Sequence, residues 1–199
     1  MAGILDLLNS PIGQSILQGV SQETNQSQDK TSSVLNMALP VLLSAMKKNA
    51  STPQGAESLL NALSDNRHNG DILSNLSGLF QGGVNQNVTS DGAGILKHIL
   101  GAQENQVASA LSQKSGVDAQ SVTKILQIAA PILLGYLGQQ KRQNNVSSQS
   151  GIESLIGGLI GGGQASQQND LLTTLLDRDG DGNIIDDVAG MLGGLFGKK

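Results

Sequence analysis

The residue types best suited to chemistry lie together in one acidic stretch, between Asp177 and Val188. Oxygen-bearing side chains occupy the first, third, fifth and seventh positions counted from Asp177, and the sixth residue is Gly182. Oxygen ligands at this spacing can surround a hard cation, and the glycine permits the sharp turn that such a loop requires. The spacing therefore predicts a calcium site. Its candidate ligands are Asp177, Asp179, Asp181, Asn183, Asp186 and Asp187.

This stretch resembles the calcium loops of EF-hand and dockerin proteins, in which the twelfth residue is a bidentate carboxylate. Val188 stands at that position, so Asp186 or Asp187 would have to complete the coordination. Without the bidentate ligand we expect weak binding, with a dissociation constant of about 10⁻⁴–10⁻³ M. Magnesium is disfavoured because its smaller shell demands stricter octahedral geometry. The alternative is an acidic helix N-terminus, where aspartates favour the positive end of the helix dipole.

Two glycine-rich stretches, residues 157–163 and 190–197, form a second feature with functional meaning. Small residues at helical spacing allow helices to approach closely. The second stretch precedes Lys198 and Lys199, so it could lie on a membrane surface or dock on another copy. The alternative is a helix end followed by a loosely ordered segment that covers apolar surface.

The remaining ionisable residues give weaker signals. His68 lies in the stretch Asp-Asn-Arg-His-Asn-Gly and is interpreted as a polar turn residue. His98 is expected on a helix whose other face carries Ile95 and Ile99, and neither histidine has metal ligands at a usable spacing. The basic pairs at 47–48 and 141–142 suit helix C-termini, with an acidic binding partner as the alternative.

The composition excludes several classes of protein. The 199 residues include one Tyr, two Phe and no Trp, and strands favour aromatic residues, so an all-α fold is predicted. No Cys is present, which excludes a thiol nucleophile, a disulfide and a Cys-based zinc site. The net charge of −4 disfavours a general nucleic-acid-binding protein. No Ser/His/Asp set or phosphate-binding glycine loop is recognisable, so no enzymatic activity is predicted.

The chain matches itself when it is aligned at a constant offset. Gly3-Ile4-Leu5 aligns with Gly94-Ile95-Leu96, and the apolar run around Pro40 aligns with the run around Pro131. Two tandem copies of one helical module are predicted, packed as one compact bundle because repeated modules stabilise one another by stacking. The expected divisions are a first module (1–80), a linker (81–93), a second module (94–176, with a surface loop at 139–150) and an Asp-rich loop with a C-terminal helix (177–199).

The spacing of apolar residues predicts where the helices lie. Val34-Leu35-Met37-Ala38 and Ile125-Leu126-Ile128-Ala129 each occupy one helix face, after capping residues at 29–33 and 118–122. Pro40 and Pro131 lie inside these apolar runs, so each is expected to kink or break its helix. Further helices are predicted at 3–8, 12–20, 57–63, 72–80, 94–100, 103–111 and 152–160, and residues 81–92 are predicted to be a flexible connection.

Three motifs together carry a family resemblance. They are Met1-Ala-Gly-Ile-Leu-Asp-Leu-Leu-Asn-Ser-Pro-Ile-Gly13, Ala38-Leu-Pro-Val-Leu-Leu-Ser-Ala-Met-Lys-Lys-Asn-Ala-Ser51 with Pro53-Gln-Gly-Ala56, and the Asp-rich loop that begins at Asp177. They are similar to those of the bacterial "domain of unknown function 937" family, to which the YidB-like proteins belong. The resemblance covers nearly the whole chain, and it implies a small all-helical bacterial protein whose biochemical activity is not established.

We therefore predict a non-enzymatic helical scaffold or interaction protein whose C-terminal part is ordered by calcium. A protein partner or self-association is expected, and nucleic acid is not. The alternative is a membrane-surface protein that attaches through its glycine-rich C-terminal helix. The N-terminal residues lack the basic and long apolar regions of a signal peptide, so a cytoplasmic location is predicted. Because calcium is scarce in the cytosol, export without a recognisable signal peptide is the alternative.

Overall fold

The computed structural model describes residues 4–68 and 70–161, and these residues form helices and connecting turns with no strand. The predicted all-α fold class is therefore confirmed for this part of the chain. The helices are α1 (Ile4–Asn9), α2 (Pro11–Thr24), α3 (Gln28–Ala50), α4 (Pro53–Ala62), α5 (Asp71–Ser74), α6 (Leu76–Phe80), α7 (Gln86–Leu100), α8 (Glu104–Ser115), α9 (Ala119–Gln143) and α10 (Gln149–Gly161), with a 3₁₀ turn at Gly101–Gln103 between α7 and α8.

Short polar side chains set where the helices begin. Ser10 Oγ accepts a hydrogen bond from the backbone N–H of Gly13, and Thr52 does the same for Gly55. A proline follows each of these caps at the first helical position, where its missing N–H costs nothing. Asp118 caps α9 as predicted. The cap of α3 is Ser27, which precedes the predicted capping stretch and places Asp29 in the first helical turn.

Both internal prolines lie within continuous helices. α3 runs across Pro40 and α9 runs across Pro131, so the alternative of two short helices at each proline is wrong. A proline removes one backbone hydrogen bond from a helix. The neighbouring residues are buried on both sides of each proline, and their packing holds the helix together across the missing bond.

The core is built around α3 and α9, which pack against each other. α7 packs along α9, α10 packs along α3, and α8 contacts both central helices. Among the described residues, α9 is the helix long and apolar enough to cross a membrane, with a mean hydropathy of 1.3. However, 72% of its most apolar segment is buried inside the protein, as expected for a central core helix.

Two polar intervals contain more helix than the sequence indicates. The prediction of a flexible connection is wrong from Gln86 onward, because Asn85 caps α7 and Gly92 packs closely against the backbone of α9. The surface loop expected at 139–150 is also shorter, because α9 continues to Gln143 and α10 begins at Gln149. In both intervals one side of a polar helix packs on the core, and polar composition alone does not reveal this packing.

Glu23 ties the segment before α7 to the core. One carboxylate oxygen accepts a hydrogen bond from the N–H of Val84 at 3.0 Å, and the other pairs with Lys124 Nζ at 3.0 Å. The hydrogen bond from Val84 lowers the pKa of Glu23 below its ordinary value near 4.5, and Lys124 lowers it further. The ionised carboxylate therefore stabilises the folded chain.

Replacing Glu23 with glutamine is expected to lower the free energy of unfolding by about 1 kcal/mol at neutral pH. The folded pKa is lowered, so this contribution is present above pH 4.5 and is lost as the pH falls through the folded value. Urea unfolding at neutral pH and at a pH below the folded pKa of Glu23 measures the difference. The exposed Glu57→Gln is the control, and an equal loss at both pH values for Glu23→Gln would contradict the expectation.

Candidate functional site

The predicted calcium ligands, Asp177, Asp179, Asp181, Asn183, Asp186 and Asp187, lie outside the described residues. The glycine-rich stretch at 190–197 lies outside them too, and so does the membrane-surface alternative that depends on it. Within residues 4–68 and 70–161, no group of three or more His, Cys, Asp or Glu is placed to hold a metal ion. The calcium site therefore stays a prediction. The described residues form a different candidate site.

His68 has a different role from the one its sequence context suggests. The interpretation as a polar turn residue is incomplete, because its side chain is buried and only 4% of the residue is exposed. Its Nδ1 lies 3.2 Å from the carbonyl oxygen of Ala62 at the end of α4, and its Nε2 lies 2.7 Å from Asp91 Oδ2 on α7. The imidazole thus joins α4 to α7, and we call this arrangement the His68 bridge.

Arg67 strengthens the bridge from the solvent side. It donates from Nη1 to Asp91 Oδ1 at 2.8 Å and from Nε to Asp65 Oδ1 at 3.0 Å. Both oxygens of Asp91 are therefore engaged, one by Arg67 and one by His68. The hydrogen bonds from Arg67 lower the pKa of Asp65 to about 2, so this carboxylate is ionised at any pH at which the protein would normally be studied.

The His68 bridge is suited to holding helices together rather than to proton transfer. A carbonyl oxygen and a carboxylate oxygen both accept hydrogen bonds, so either ring N–H can donate to the acceptor that it faces. Each ring nitrogen already faces a protein acceptor. A catalytic base needs a free nitrogen within hydrogen-bond reach of the proton that it removes.

Beside the bridge, α4 and α7 enclose a cavity of about 390 Å³, which we call the α4–α7 groove. Met46 of α3 and Leu134 of α9 also contribute to it, and both are buried core residues. The α4 wall is formed by Gly55, Ser58, Leu59 and Ala62. The α7 wall is formed by Ser90, Asp91, Gly94, Ile95, His98 and Ile99. His98 thus faces the groove together with Ile95 and Ile99, which corrects the expectation that they lie on opposite faces.

Each end of the groove is fixed by a polar contact between helices. At one end Asn49 donates from Nδ2 to the carbonyl oxygen of Ile99 at 3.2 Å, and Gly55 packs against the carbonyl oxygen of Asn49. At the other end the His68 bridge joins Ala62 to Asp91. The start of the α4 wall, at Gly55, thus lies beside the end of the α7 wall, at Ile99, and the end of the α4 wall, at Ala62, lies beside Asp91 near the start of the α7 wall. The two helices therefore run antiparallel along the groove.

The groove has the features of a binding site. Pockets of about 300–1,000 Å³ with mainly apolar walls and a few polar groups are typical of ligand sites in proteins. Aliphatic side chains dominate the interior here, and Asn49, Ser58, Ser90 and His98 supply polar groups that a ligand could reach. Sequence reasoning missed this site, since its residues come from four helices and only the Ile95 to Ile99 spacing marks one wall.

Comparison with known proteins gives one family. A profile of bacterial proteins of unknown function (DUF937) matches residues 6–140, which extend from α1 almost to the end of α9 and include both walls of the groove. No curated protein and no solved structure matches the chain. The family match spans well over half of the sequence and agrees with the resemblance of its three motifs, so the chain belongs to this bacterial family of unknown function (DUF937).

Proposed function

We propose that this protein is a non-enzymatic helical interaction protein that holds an apolar group of a partner in the α4–α7 groove. The observation that carries the proposal is the groove itself, an apolar cavity of about 390 Å³ whose two ends are fixed by polar contacts. Pre-formed sites bind tightly because little conformational entropy is lost when the ligand enters.

The same geometry favours binding over catalysis. The buried imidazole nearest the groove, His68, uses both ring nitrogens in the bridge. Asp91 lines the groove, but its two carboxylate oxygens are occupied by His68 and Arg67. The buried titratable groups beside the groove are therefore bound to one another and hold its shape, and exposed His98 stands in the groove wall with no carboxylate of the described residues beside it to form a catalytic pair.

We propose further that the scaffold consists of two tandem helical modules, 1–80 and 94–176. The order of helices supports two modules, the second of which begins with α7 at Gln86. A long proline-containing helix, α3 or α9, follows two shorter helices in each half, and it is followed by α4 or α10. The two proline-containing helices pack against each other at the centre of the fold, as expected if two similar units stack.

The Asp-rich loop is proposed to bind calcium weakly and to order the C-terminal part of the chain. Calorimetric titration with millimolar calcium is expected to release heat and raise the melting temperature, because a ligand that binds only the folded loop stabilises it. The double substitution Asp177→Ala/Asp181→Ala removes two of the proposed ligands and is expected to abolish both effects. Equal responses in the wild-type and substituted proteins would refute the calcium site.

An apolar fluorescent probe tests whether the groove accepts ligands. N-phenyl-1-naphthylamine is expected to bind the full chain with increased fluorescence, and Gly94→Leu is expected to weaken this binding at least tenfold. A Cβ atom at Gly94 would meet no atom within 4 Å, and Gly94 lines the groove, so a leucine there is expected to extend over the groove without displacing the fold.

Gly157→Leu is the matched control for this test. Gly157 lies in α10, and a Cβ atom there would likewise meet no atom within 4 Å, but this residue does not line the groove. Probe binding should therefore persist in this variant. Equal probe binding by the wild type and by both variants would place the probe outside the groove and contradict the proposed function.

A further inference from the structure

We propose that the occupant of the α4–α7 groove is an amphipathic helix of a protein partner, with aliphatic anchors in the groove and carboxylates at the end near Lys97. This inference rests on the proposed function, because it names the partner of the same site. Three observations carry it, namely the length of the walls, the small residues along their rim and the charge at one end.

The walls have the length of a short helix contact. The α4 wall runs from Gly55 to Ala62, and the α7 wall runs from Ser90 to Ile99. At 1.5 Å per residue each wall extends roughly 10–14 Å, or at least two helical turns. A helix lying between them would present side chains at positions i, i+3 or i+4, and i+7 over the same distance. Those side chains would meet Leu59 and Ile95.

The rim of the groove is made of small residues. Ser58 lies on the α4 wall, and Ser90 and Gly94 lie on the α7 wall. No atom lies within 4 Å of the position that a Cβ atom at Gly94 would take. Small side chains allow the backbones of packed helices to approach to about 8 Å. A third helix can therefore come close enough to fill the groove with its aliphatic side chains.

The fold already contains a helix bound in this way. α10 packs against α3 and α4, and its buried side chains are aliphatic. Its residues Ile152, Leu155, Ile156 and Leu159 are all buried. Leu59 on α4 remains half-buried in the described part of the chain and lines the α4–α7 groove. The surface of α4 toward α7 is thus available to a second helix of similar character.

The positive charge at the Asn49 end of the groove favours carboxylates on the partner helix. α3 and α7 both end there, and their last turns carry exposed basic side chains at Lys47, Lys48, Lys97 and His98. None of these four side chains forms an ion pair or hydrogen bond within residues 4–68 and 70–161. The acidic residue nearest in sequence to the α3 lysines is Glu57, and the one nearest to Lys97 is Asp91, which is already bound by His68 and Arg67. The three lysines are therefore in excess at this end. Lys97 follows Gly94 by three positions, which places it along the same rim.

Two labelled synthetic peptides test the proposal with the full chain. Both carry leucines at helical spacing over about three turns; one has two glutamates near one end, and the other has two lysines at the same positions. Fluorescence anisotropy is expected to show that the glutamate peptide binds at least tenfold more tightly. Gly94→Leu should abolish its binding, and Gly157→Leu should not. Lys97→Glu leaves the apolar walls intact and should reduce the preference severalfold, because Lys47 and Lys48 remain at this end.

The outcomes separate this inference from the proposed function. If N-phenyl-1-naphthylamine binds in the groove but neither peptide displaces it, the groove takes a small apolar molecule and the helix proposal is overturned. Equal affinities for the two peptides, or no response to Lys97→Glu, overturn the assignment of carboxylates to the Lys97 end. If neither the probe nor the peptides bind, the proposed function itself fails. Circular dichroism of each variant excludes loss of fold as the cause.

Discussion

Replacing Gly92 with alanine is expected to lower the free energy of unfolding by about 2–3 kcal/mol, measured by urea denaturation. Gly92 is buried where α7 crosses α9, and a side chain there would overlap the carbonyl oxygen of Gln127. The obstructing atoms belong to the backbone of a central core helix, so no side-chain rotation can relieve the overlap. The alanine can be accommodated only if α7 moves away from α9, which opens the core around Leu96.

Gly94→Ala in the same helix is the matched control. A side chain at Gly94 meets no atom within 4 Å, and alanine is the better helix former by about 0.5–1 kcal/mol. This variant should be as stable as the wild type or slightly more stable. The two substitutions lie two residues apart in one helix and are expected to change stability in opposite directions. Their comparison therefore separates the effect of packing from that of helix propensity. A neutral effect of Gly92→Ala would mean that α7 does not approach α9 as closely as the structure places it.

The apolar spacing of α3 and α9 made these helices predictable from the sequence, whereas the start of α7 was not. The spacing of Val34, Leu35 and Ala38 marks a buried helix face within a few residues, and the matching run in α9 does the same. The first turns of α7 are polar, and their contact with the core is made through Gly92. A glycine gives no hydrophobic signal, so only the three-dimensional packing on Gln127 shows why this segment is helical.

The candidate site was less predictable than the fold, for a related reason. A loop that binds calcium is local, so its ligands can be recognised from spacing within a short stretch such as 177–188. The α4–α7 groove is assembled from α3, α4, α7 and α9, and its polar end depends on a contact between His68 and Asp91. His68 lies in a turn, and Asp91 lies in an interval that is polar in sequence. Neither position indicates that the two side chains meet.

Replacing Asp91 with alanine is expected to lower the free energy of unfolding by about 1–3 kcal/mol, because two donors lose their acceptor. His68 is the more costly of the two, since its ring is buried and has no access to water that could replace the lost bond. Arg67 is largely exposed and can be solvated again. Asp91→Asn should give an intermediate loss, because an amide can accept from one donor but turns its own N–H toward the other.

The comparison with Asp65→Ala decides where the stabilisation lies. Asp65 has its pKa lowered to about 2 by Arg67, which on its face indicates a strong interaction. However, this pair lies at the surface, where solvent screens the attraction and the side chains lose freedom to hold one geometry. Little loss of stability is therefore expected for Asp65→Ala at neutral pH.

A larger loss for Asp91→Ala than for Asp65→Ala would locate the energy in the buried His68 bridge that closes one end of the groove. Asp91→Ala should also weaken the binding of N-phenyl-1-naphthylamine, because the bridge is one of the two contacts that fix the separation of α4 and α7. Asp65 does not line the groove, so Asp65→Ala should leave probe binding unchanged. Equal effects of the two substitutions on stability and on probe binding would show that the exposed ion pairs, and not the imidazole, hold this end of the groove.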